Sequence, residues 1–70
     1  MFVIAFDSTH AAMAAQTLLK GLRFDVIPTP TDITAECGMS LRMEDDLMEQ
    51  AMRLLQVQPE VFDKATWHYI

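Results

Sequence analysis

One thiol and two imidazoles are the side chains of this 70-residue sequence best suited to covalent or proton chemistry: Cys37, His10 and His68. Cys37 is the only cysteine and stands in the stretch TAECGMSLRM, with Gly38 directly after it. The thiolate is the nucleophilic form of cysteine, and a helix N-terminus or a nearby cation enriches it. Ser8, Thr9 and His10 supply two hydroxyls and an imidazole at what reads as a helix start. Gly38 places no side chain beside the sulfur and lets a backbone N–H approach it. Glu36 works the other way, because its charge disfavours a second negative charge next to it. A lone thiol of this kind is either a reactive thiolate or a small buried hydrophobe. A dithiol redox centre of the Cys-x-x-Cys type needs a second cysteine.

Other chemistries find less support. His10, His68 and Cys37 lack the paired spacing of a zinc site, and one chain offers too few ligands, so no metal is expected. Ser8 and His10 lie two apart at a helix start, where such residues cap rather than hydrolyse. The Glu44-Asp45-Asp46 run matches the acids favoured at a helix N-terminus and is not read as a catalytic pair. Met48 and Met52 read as packing, not as a copper site. With two glycines in the chain there is no phosphate-cradling loop, and no cofactor is expected.

Length and composition bound the partners. Residues 1–70 make one domain, 51% apolar, with ten acids against five bases and a net charge of −5. An acidic surface argues against nucleic acid and against anionic lipid. No apolar run approaches the ~20 residues of a membrane span. The opening MFVIAF lacks the basic flank and cleavage pattern of a signal peptide. A single thiol without targeting signals points to a reducing cytoplasm. A core this small gains from self-association, so a homodimer is a reasonable partner state.

The positioning elements follow from periodicity. Phe2 to Phe6 is apolar at every position, which predicts a central strand buried on both faces. Asp7, Ser8 and Thr9 offer N-caps for a helix whose inner face holds Ala12, Ala15, Leu19 and Leu22, with Gly21 as a left-handed stop. Phe24 to Pro30 predicts a strand held to a sheet edge by Pro28 and Pro30. Met39, Leu41 and Met43 alternate with Ser40 and Arg42, which is strand spacing. A second helix follows the acidic run, with Leu47, Met48, Ala51, Leu54 and Leu55 as its stripe and Pro59 as its end. VFDKATWHYI reads as the last strand, Ala65, Trp67 and Tyr69 on one face and Lys64, Thr66 and His68 on the other.

The order β-α-β-β-α-β predicts an α+β, ferredoxin-like sandwich. Its antiparallel sheet has four strands in the order 4-1-3-2, with two helices on one face. A right-handed crossover puts the loop holding Cys37 at the same end of the sheet as the start of the first helix. That helix end carries unpaired N–H groups and about half a positive charge. The topology therefore gathers Cys37, Gly38, Ser8, Thr9 and His10 as a thiolate-stabilising group. The expectation is a reachable sulfur at the rim of the sheet, facing the amino end of the first helix.

Three features together resemble a known family. They are the apolar strand followed by Ser8-Thr9-His10, the Pro28-x-Pro30 pair, and Cys37-Gly38 followed by a strand with Arg42. In this order, along nearly the whole chain, they are similar to the small bacterial domains of the selenium/sulfur carrier-like family. The resemblance implies a carrier rather than a turnover enzyme, with sulfur or selenium held on Cys37 as a persulfide or selenopersulfide and Gly38 beside it. Its implied partners are a sulfur or selenium donor protein and an acceptor protein. The alternative is a binding or assembly module with no chemistry at Cys37, since this fold class hosts many unrelated functions. The edge of the second strand is its natural docking line.

Overall fold

A computed structural model describes all 70 residues. Strand β1 (Phe2–Ala5) leads into helix α1 (Thr9–Leu18), strand β2 (Asp25–Pro28) and strand β3 (Met39–Met43). A single 3-10 turn (Asp45–Leu47) opens helix α2 (Met48–Leu55), and short helix α3 (Pro59–Phe62) precedes strand β4 (Thr66–Tyr69). The strands form one antiparallel sheet in the order β2-β3-β1-β4. From the other edge this is the order expected above.

Every residue of β1 is buried because the strand is flanked by β3 and β4 and its two faces are both filled. Phe2, Ile4 and Phe6 join Leu41 and Met43 in a single core with Ala12 and Ala15 of α1 and Ala51 and Leu55 of α2. Small residues let α1 lie on this face without bulk. Phe2 stacks on Trp67 of β4, centroids 5.6 Å apart, and Phe6 meets Phe62 of α3 edge-on at 6.3 Å. The other face carries two rows set by the register. Asp25, Arg42, Val3 and His68 form one, and Ile27, Ser40, Ala5 and Thr66 the other. Val3 and Ala5 are closed off from water there as well, at 0% and 1% exposure.

β2 bonds only β3, so the proline-containing strand is an edge strand. Its Asp25 accepts an ion-paired hydrogen bond from Arg42 at 3.1 Å. Both groups are well exposed, and such pairs contribute about 0–1 kcal/mol.

Three expectations need correction. Gly21 does not adopt a left-handed conformation. α1 closes instead through a tight turn in which the Leu22 N–H donates to Leu19 O at 2.8 Å, and an i→i−3 bond of that kind needs no positive φ. The stretch from Val61 to Ile70 is not one strand. Pro59 does not merely end α2; it starts α3, as its fixed φ favours at a first helical position, and only Thr66–Tyr69 extends. The buried stripe of α2 centres on Ala51 and Leu55, and Leu54 falls outside it at 38% exposure.

Candidate thiol site at the end of the sheet

The end of the sheet where β1 finishes also receives the start of α1, the loop from Thr29 to Gly38, and the segment between α3 and β4. The loop is tied there by the Cys37 N–H, which donates to Phe6 O at 3.2 Å, and by the Thr29 N–H, which donates to Gly38 O at 2.9 Å. The second bond continues the β2–β3 register by one step. Cys37 is thus brought to the end of β1, just before the first turn of α1.

The sulfur does not sit open at the rim. Cys37 is 5% exposed and belongs to the core cluster that includes Phe6, Ala11 and Ala12. The expectation of a reachable sulfur is therefore corrected: the loop folds its one compact, apolar-tolerant side chain inward, as free cysteines commonly are. Its sulfur accepts one hydrogen bond, from the Met39 N–H at 3.4 Å.

The predicted neighbours are placed as follows. Ser8 is the N-cap of α1, and its hydroxyl accepts the Ala11 N–H at 3.1 Å. Thr9 and His10 are exposed in the first turn. No hydrogen bond joins Ser8, Thr9 or His10 to the sulfur. Gly38 is exposed with an ordinary φ, and a Cβ there would meet nothing within 4 Å. The donor beside the sulfur is the next residue's N–H, and space at Gly38 is not what admits it. Replacing Ser8 with Ala should cost about 1 kcal/mol through the lost cap, read as a lower urea midpoint with an unchanged slope.

Glu36 points away from the core and is exposed. With Asp7, Thr34, Ala35, Lys64 and Thr66 it lines an open cleft of about 360 Å³ over the end of β1. One cation and two acids surround the approach to the loop. No cluster of histidine, cysteine and carboxylate groups that could hold a metal is present. No helix is long and apolar enough to cross a membrane.

Two residues of the site were missed by reading the sequence. Thr29 Oγ1 donates to Cys37 O at 2.9 Å and lies 2.7 Å from the hydroxyl of Ser40. Ser40 is fully buried, and a buried hydroxyl requires a partner. A signal was available: in Pro28-Thr29-Pro30 only Thr29 has a backbone N–H to give, so any bond donated by this stretch's backbone comes from it.

These features define a small α+β protein with one cysteine folded into the end of a four-stranded sheet. The chain belongs to the family described as "Putative Se/S carrier protein-like", whose model matches residues 1–62. The match takes in Cys37 and its loop and stops before β4. No curated protein and no solved structure matches the chain.

Proposed function

We propose that this protein is a sulfur or selenium carrier, with Cys37 as the loaded residue and its fold a ferredoxin-like sandwich. The observation that carries the reading is membership of the carrier-like family in a chain that has one cysteine and no other thiol to load. In the loading step the Cys37 thiolate attacks the terminal sulfur of a donor persulfide. The donor S–S bond breaks, the donor leaves as its thiolate, and Cys37 becomes a persulfide. Unloading to an acceptor thiolate is the same step in reverse, so no outside oxidant or reductant is needed. The Met39 N–H donates to the sulfur at 3.4 Å and holds it in place. Ser8 caps the neighbouring helix α1, Thr9 and His10 lie exposed in its first turn, and Gly38 follows the thiol, so the proposal assigns the load to Cys37 alone. Donor and acceptor proteins are the partners, in a reducing cytoplasm.

The test is intact mass after incubation with a cysteine desulfurase and cysteine. A gain of about 32 Da, one sulfur on the persulfide rung of cysteine chemistry, is expected for the parent and absent in Cys37→Ser. No gain in the parent overturns the sulfur version. Burial of the thiol favours a second reading, a binding module in which Cys37 only packs. Cys37→Ser separates the two, since a module keeps its cellular role without the sulfur.

A further inference from the structure

A buried thiol that must meet another protein's sulfur raises the question of what holds it shut. Between Pro30 and Glu36 the only backbone hydrogen bond is the turn from the Ile33 N–H to Pro30 O at 3.0 Å. The loop is fixed at its ends alone. At the Cys37 end the Cys37 N–H donates to Phe6 O at 3.2 Å, and two further bonds converge on one residue, Thr29. The Thr29 N–H holds Gly38 O, and the Thr29 hydroxyl holds Cys37 O, at 2.9 Å each. That hydroxyl has one proton, and it is spent on the Cys37 carbonyl. The proton between Thr29 and Ser40 therefore comes from Ser40, which makes a chain from Ser40 O–H to Thr29 O–H to the carbonyl of the cysteine itself. Hydrogen bonds in such a chain strengthen one another. Ser40 is the one buried polar residue of the fold, and its hydroxyl has no partner but Thr29. Apolar side chains of the same shape at both positions would pack there at little cost. The hydroxyls add a hold that water or a docking chain can exchange, which packing does not.

We propose that Thr29, backed by Ser40, is the latch of the Cys37 loop: its hydroxyl keeps the sulfur in the core, and releasing it swings residues 30–38 outward to expose the thiol to a partner. The latch deepens the carrier reading and rests on it for its purpose, but access to the sulfur is measured without any sulfur donor. Thr29 is a positioning residue, since it touches the cysteine's carbonyl and not its sulfur.

The experiment is alkylation of native protein by iodoacetamide, followed by intact mass, for the parent, Thr29→Val, Thr29→Ser and Ser40→Ala. Urea titrations of each variant run alongside. Losing one neutral hydrogen bond that gates a local opening predicts about tenfold faster modification in Thr29→Val. Thr29→Ser keeps the hydroxyl and should stay within about twofold of the parent on the same grounds. Ser40→Ala should fall between. The rates should be flat at low urea, the mark of a local opening that exposes little surface. Equal rates for Thr29→Val and Thr29→Ser overturn the latch, as do rates that climb steeply with urea in step with global unfolding. Should Thr29→Val not fold, Ser40→Ala against the parent carries the same decision. A failed desulfurase experiment with a fast Thr29→Val would remove the carrier reading and leave the latch standing; the reverse pattern would do the opposite.

Discussion

Phe2→Ala should leave little folded protein in plain buffer. Phe2 is fully buried, pairs in register with Met43 on one side and Tyr69 on the other, and stacks on Trp67. Truncating a core phenylalanine to alanine costs about 3–5 kcal/mol, part of it from the cavity left behind. In a domain of this length a single core rarely supplies more than about 3–5 kcal/mol in total. The two ranges overlap, so the substitution consumes most or all of the margin. Trp67 is the only tryptophan and lies against the site, so its fluorescence reports the loss directly. A urea midpoint within experimental error of the parent would show that β4 closes over the gap and that the stack contributes little.

Ala15→Asp should prevent folding outright, while Met13→Asp on the same helix should be nearly silent. Ala15 has no exposure and faces the sheet; Met13 is 57% exposed. A carboxylate at position 15 would lie in the core with no cation near it, and an unpaired buried charge costs several kcal/mol. At position 13 the same group stays in water, where substitutions usually fall within about 0.5 kcal/mol of the parent. Circular dichroism of the two proteins, purified side by side, decides the matter. A folded Ala15→Asp would mean that α1 can lift from the sheet without loss of the rest.

Much of the frame is legible in the sequence. Residues 2–6 carry no polar side chain, and such a run has its simplest solution between two neighbours. Pro28 and Pro30 forbid a second hydrogen-bonded neighbour for β2. Those two facts make β1 an inner strand and β2 an edge strand, as observed. The hidden parts share a physical cause. Alternation in ATWHYI extends visually back into VFDK, but Pro59 favours a helical turn there, and Val61 and Phe62 both pack against the core from it. Gly21 looks like a left-handed cap, yet a tight turn ends α1 by hydrogen bonding alone. At the thiol, connectivity sets which end of the sheet a loop visits and says nothing about which way a side chain turns. Cys37 is small and apolar enough to turn inward. The hydroxyl chain from Ser40 through Thr29 joins positions eleven apart, and only the β2–β3 register brings them together.

The pairing of β1 has a consequence for how the molecule assembles. Its second neighbour comes from residues 66–69, so the sheet's central strand is flanked on both sides only after the most distant contacts in the chain have formed. Contacts of such long sequence separation slow folding. Until they form, an uninterrupted apolar strand presents one bare row of amide and carbonyl groups, a template for pairing with other molecules. A polypeptide cut before Thr66 would remain in that condition permanently. Clumping, and not a smaller folded protein, is the expected fate of such a fragment.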